Sequence, residues 1–267
     1  MQFRAAVKNT FMNNRRQIIT VAAAFFIMLA LLLTGIFSYY HSEDTVTNTF
    51  KSENLGVKLL EPEWDRVGQS KARASEPGMT IPKDPYAVNS GQGRLYIRLK
   101  MTVSLGKFNA EGKSPEYAAD LSGSARRMNS VLNAIEIKNG NTAAPLFDWS
   151  RKTGEIGSWV LADDCQNPEF YMVNAGAETL NDGTYEQTFY FYCITGVKDG
   201  ENSVLKTIGA GERTGELFDQ ITVPVYKKDY LGVFDQSYNI TLEAQAIPAE
   251  AGASATVSAQ KSKFGEG

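Results

Sequence analysis

His41 is the only histidine in the chain, and Cys165 and Cys193 are its only cysteines. These three residues bound the chemistry. Ser-His and Cys-His catalysis needs an imidazole placed in a folded site. His41 sits instead beside a long apolar segment, where it reads as a plain exposed residue. Zinc-protease motifs need two histidines one helical turn apart, and the chain has none. Two cysteines without a histidine beside them make no zinc site. In an oxidising compartment Cys165 and Cys193 could form one disulfide between neighbouring strands. The alternative, two buried free thiols, stays open, because Cys193 lies in an aromatic run. The acidic turns "NDGT" (181–184) and "KDGEN" (198–202) lack the spacing of an EF-hand loop and read as ordinary turns. No pair of carboxylates stands out for glycoside hydrolysis. No glycine-rich loop follows a strand and opens a helix, so phosphate cradling has no support. Three tryptophans remain as binding-site aromatics or packing residues: Trp64, Trp149 and Trp159. The expectation is a protein that is not an enzyme, with no cofactor and no metal.

The elements around these residues begin with an export signal. Residues 18–37, "IITVAAAFFIMLALLLTGIF", carry no charge. At about 1.5 Å per residue, such a helix just spans a hydrocarbon core of roughly 30 Å. Arg4, Lys8, Arg15 and Arg16 precede it, and the first acidic residue is Glu43. That asymmetry places the N-terminus inside and the body outside. Residues 1–38 therefore read as a signal peptide cut near Ser38–Tyr39, or as a retained membrane anchor. Removing them leaves 23 basic against 30 acidic side chains. A domain that acidic is a poor partner for nucleic acid.

Beyond the border the pattern has period two. In "RLYIRLKMTVSL" (94–105), Leu95, Ile97, Leu99, Met101, Val103 and Leu105 alternate with Tyr96, Arg98, Lys100, Thr102 and Ser104, which predicts a strand with one buried face. "SYNITLEAQAI" repeats the alternation with Ile240, Leu242, Ala244 and Ala246. "NLGVKLLEPEW" places Leu55, Val57 and Leu59 on one face. "LFDQITVPV" does the same with Ile221, Val223 and Val225, and its Pro224 predicts an edge strand or a bulge. "YEQTFYFYCITGV" is aromatic on both faces, as a central strand covered twice would be. One stretch departs: Met128, Val131, Leu132 and Ile135 follow helical spacing. The predicted fold is an antiparallel β-sandwich of jelly-roll type with a short helical insertion. The sandwich covers 51–250, and 251–267 form a polar flexible tail.

Four stretches, in order, carry a resemblance. They are "GIFSYYHSEDTVTNTFKSENLGVKLLEPEWD" (35–65), "EPGMTIPKDPYAVNSGQGRLYIRLKMTV" (76–103), "GAGERTGELFDQITVPV" (209–225) and "YNITLEAQAIPAE" (238–250). Together they resemble the TasA/camelysin family of exported biofilm-matrix and pilin-like proteins. The resemblance implies a jelly-roll sandwich and export through a SipW-like signal peptidase. It further implies assembly into extracellular fibres, as a homopolymer or with accessory matrix proteins. Two departures stand out: Ile36-Phe37-Ser38 replaces the usual small residues before the cut, and the two cysteines lie outside the family pattern. A metallopeptidase label attached to some relatives does not transfer, since the zinc-binding residues are missing.

The residues after the border then acquire a role. Residues 39–50, "YYHSEDTVTNTF", suit a strand. Tyr39, Tyr40, Val46 and Phe50 would anchor it in the next subunit, a head-to-tail contact that builds a filament. The competing expectation is that 39–50 belong to their own sheet. A second class of function is a monomeric or membrane-anchored surface module that binds glycan or protein through exposed loops.

Overall fold

The computed structural model describes residues 56–74, 76, 78–105, 123–151, 159–180, 184–223, 238–250 and 255–265. The signal segment, the Ser38–Tyr39 border, His41 and the segment 39–50 with Tyr40, Val46 and Phe50 lie outside the described residues, as do residues 181–183 of the first acidic turn. Among the described residues, no helix is long and apolar enough to cross a membrane.

The described chain is mainly β, and its strands pair antiparallel. In chain order they are β1 (Val57–Leu60), β2 (Thr80–Pro82), β3 (Tyr86–Asn89), β4 (Leu95–Leu105), β5 (Ile135–Asn139), β6 (Thr142–Pro145) and β7 (Phe147–Arg151). They continue as β8 (Trp159–Cys165), β9 (Phe170–Thr179), β10 (Tyr185–Thr195), β11 (Val204–Leu205), β12 (Thr207–Ile208), β13 (Gln220–Thr222) and β14 (Tyr238–Pro248). Four long strands lie in the order β9-β10-β4-β14. The short β11 and β12 pair with the last residues of β10 and the first of β4. A second sheet runs β2-β13-β5-β6, and β1-β3 and β7-β8 form two ribbons.

The alternation in β4 sets the core. Its six apolar residues at odd positions are each at most 2% exposed. They pack with Phe147, Phe189, Phe191, Leu242 and, from the second sheet, Ile135 and Ile221. Phe147 and Phe189 meet with ring centroids 4.8 Å apart, a tilted pairing that aromatic quadrupoles favour. The helix Gly123–Ala134 presses Met128, Val131 and Leu132 into the same cluster, as their spacing predicts. Ile135, the fourth residue of that pattern, instead opens β5. β10 is central and covered twice. Phe189, Phe191 and Cys193 face this core, while Tyr192 and Ile194 face a second apolar cluster.

Three expectations need correction. β4 and β14 are not one-faced, because Tyr96, Arg98, Gln245 and Ile247 on their other face are buried too. The residues that bury them come from the predicted flexible tail. Residues 255–265 are ordered, with a helical turn at Val257–Gln260, a 3-10 turn at Lys261–Phe264, and Val257 fully buried. β13 is no edge strand, since it lies between β2 and β5. Its last paired residue is Thr222, so the missing N–H of Pro224 falls beyond the ladder.

A π-helical turn at Trp64–Gly68 runs into the short helix Gln69–Arg73 and packs on β2. Glycine is obligatory at 68. A Cβ there would stand 2.4 Å from the Pro82 carbonyl and 2.6 Å from the Trp64 ring.

Candidate assembly surface

In sequence, β1 is the first described strand after residues 39–50. Val57 and Leu59 are buried in the main core, while Lys58 and Leu60 face outward. β1 pairs with β3 and packs beside β14.

The sheet of four long strands has two long borders of unlike character. β14 pairs with β4 along its whole length, from Tyr238↔Leu105 to Pro248↔Leu95, without a register shift. Among the described residues, no strand pairs with its other side. From Ile240 to Pro248, a regular border of this kind presents backbone N–H and C=O groups in register for an added strand. β9, the opposite border, is blunted. Its register against β10 shifts between Thr188 and Phe189, and Gly176 there takes φ +97°. Asn174 fixes the irregularity, its Oδ1 accepting from Gly176 N at 2.9 Å and from Gln187 Nε2 at 3.3 Å. Past it, Ala175–Thr179 are exposed and include Glu178. Bulges and charges at a border oppose edge-to-edge pairing.

The other candidate residues have structural surroundings. Trp64 is buried, with the Lys83 ammonium 4.3 Å from its ring centroid. Trp149 is partly buried against the main core. Trp159 opens β8. The turn 198–202 is closed by Ser203, whose Oγ accepts from Asp199 N at 2.9 Å and donates to Gly200 O at 2.7 Å. Among the described residues, no three acidic, histidine or cysteine side chains cluster as a metal site would require.

Cys165 and Cys193 are free thiols and both buried, so the disulfide reading gives way to its alternative. The Cys165 thiol is directed at the carbonyls of Phe170 (3.5 Å) and Asn167 (3.7 Å), and Lys198 Nζ lies 3.6 Å from its Sγ. Cys193 sits among the aromatic residues of the main core. Burial pushes Cys165 from 9.0 up to about 11 and Cys193 up to about 12. Neither is a nucleophile near neutral pH. Because the folded values are raised, the thiols' contribution to stability is complete below about pH 9. It is lost as the pH climbs through 11 and 12. Stability should fall between pH 9 and 10 by about 1 kcal/mol per thiol. Urea midpoints of the wild type and of Cys165→Ala/Cys193→Ala across that range check this. An equal alkaline slope in both proteins would contradict it.

Sequence reasoning passed over the two most buried cations among the described residues. Arg98 and Lys83 are at most 1% exposed. Their only local signals were a charge inside the β4 alternation and one between two prolines. The chain matches no family model and no curated protein.

Proposed function

We propose that this protein is an exported structural subunit of an extracellular fibre. Its 39–50 segment serves as a donor strand that pairs with the β14 border of the next subunit. The contrast between the regular β14 border and the bulged, charged β9 border carries this reading. A head-to-tail polymer needs one receptive border per subunit and gains from a second that refuses pairing. The position of β1 beside β14 supports it, since the donor leaves the body at the acceptor's side. The TasA/camelysin resemblance adds the jelly-roll arrangement of the sheets, the biofilm-matrix setting, and removal of residues 1–38 by a SipW-like signal peptidase. Until that cut the membrane would hold the donor segment and delay polymerisation.

Negative-stain microscopy with sedimentation, on chains beginning at residue 39 and at residue 51, tests the proposal. The longer chain is expected to form filaments and the shorter to remain monomeric. Filaments from both would remove the donor role. Monomers from both would favour a surface binding module instead.

A further inference from the structure

One ion pair is sealed from water. Lys83 Nζ donates to Glu61 Oε2 at 3.1 Å, and the two side chains are 1% and 2% exposed. By contrast, Lys198 and Asp164 pair with 19% and 45% of their side chains in solvent, and Lys206 and Glu169 with 38% and 47%.

The chain holds the two groups firmly. Each sits beside a proline, Glu61 before Pro62 and Lys83 after Pro82, so fixed ring torsions restrict both. Asp65 N donates to Glu61 O at 2.9 Å, and Lys83 N donates to Asp219 O at 3.1 Å. Glu63 N donates to Asp84 Oδ1 at 2.9 Å and clamps the two stretches together. The Trp64 ring centroid lies 4.3 Å from Lys83 Nζ. The indole Nε1 of that ring is buried without an acceptor among the described residues.

Burying two full charges is costly, and their attraction offsets that cost only in part. Passing one proton from the ammonium to the carboxylate removes both charges. It leaves an amine lone pair held against a carboxyl group, the arrangement from which positioned intramolecular reactions gain most. We propose that Lys83 and Glu61 are a cross-linking site, where the two side chains condense into an isopeptide bond. The Nζ lone pair adds to Glu61 Cδ and a C–N bond forms. One Cδ–O bond then breaks, and that oxygen leaves as water with two of the three protons that Nζ carried. No oxidant and no outside group is consumed. The oxygen that remains bears negative charge while Cδ is tetrahedral, and the Trp64 N–H is the donor that meets it. Exclusion of water from the pair opposes the reverse reaction.

The bond closes a loop from 61 to 83 that encloses the helical segment 64–73 and β2. The two cysteines, being free thiols, provide no such tie. The site lies apart from the β14 border, so it stands whether or not the chain polymerises.

Peptide mass spectrometry of the purified full-length chain tests it. On the unfolded, reduced protein, trypsin cuts after Lys58, Arg66, Arg73 and Arg94. An isopeptide on Lys83 blocks cleavage there and joins residues 59–66 to residues 74–94, one water lighter than the two together. This branched peptide should be the main product from the wild type and absent from Glu61→Ala and Lys83→Met. Stability does not separate the bond from the ion pair, because each substitution removes either. The wild type itself decides, so neither variant needs to fold. Separate 59–66 and 74–83 peptides as the whole yield from a cooperatively melting wild type overturn the proposal. So does a chain that is one water lighter but whose peptides stay separate.

Discussion

Glu61→Ala is expected to destabilise the fold by about 3–5 kcal/mol, the range for breaking a buried ion pair from one side. Lys83 Nζ donates to Glu61 Oε2 at 3.1 Å, and the two side chains are 1% and 2% exposed. The ammonium also lies over the Trp64 ring. Removing the carboxylate takes the charged partner from a cation that is buried from water. Lys83→Met alone should cost a similar amount, because the buried carboxylate then loses its charged partner. Removing both charges together, as Glu61→Ala/Lys83→Met, should cost far less than the sum of the single changes. Urea unfolding of the four proteins at constant m-value forms a double-mutant cycle. Additive losses would show that the two side chains act independently. The pair also has a local task. With Glu63 N donating to Asp84 Oδ1 at 2.9 Å, it ties the helical segment 64–73 to the chain that follows β2. Loss of the pair should therefore speed hydrogen exchange in 64–73 before it affects β4 or β10.

What the sequence made legible follows from how local each signal is. β4 and β14 were readable because a period of two over ten or more residues fits no other element, and β10 because a run aromatic on both faces suits a central strand. The helix at 123–134 was readable through Met128, Val131 and Leu132. The C-terminal segment was not. "SAQKSKFGEG" is polar, and its docking depends on two side chains, Val257 and Phe264, meeting partners far away in sequence. Arg98, which binds the Phe264 carbonyl, lies 166 residues earlier. Arg98 was misjudged and Lys83 passed over for the same reason, since a lone cation reads as exposed until its partners are known. Of the proposed assembly surface, the donor segment was a sequence reading, whereas the proposed acceptor border is a tertiary one. β14 and β9 both look like ordinary strands. What separates them is a bulge whose only trace in the sequence is Gly176 within "NAGAE". The disulfide question could not be answered by counting cysteines, because it depends on where each thiol points.

Arg98→Ala is expected to cost about 3–5 kcal/mol, which for a protein of this size lowers Tm by roughly 10 °C. The side chain is 1% exposed, so solvent does not dilute its interactions. Three acceptors lose their donor at once: Gln245 Oε1, Tyr192 OH and the Phe264 carbonyl. The change also opens a cavity over Tyr190, where the guanidinium had lain 4.2 Å from the ring centroid. Each polar group stranded without solvent costs about 1–3 kcal/mol, so the total lies in the upper range for a single substitution. Arg98→Lys keeps the charge but not the planar fork, and an ammonium cannot serve three acceptors in those directions. It should recover less than half of the loss. The two effects separate by protease. Lys261 and Lys263 lie in the docked segment and pair with Glu201 and Glu250 at its rim. Trypsin should cut there much faster in Arg98→Ala than in the wild type, at temperatures well below the melt, because releasing the segment does not require unfolding the sheet. Unchanged cleavage together with the lowered Tm would mean that Arg98 braces β4, β10 and β14 and that Val257 alone holds the segment.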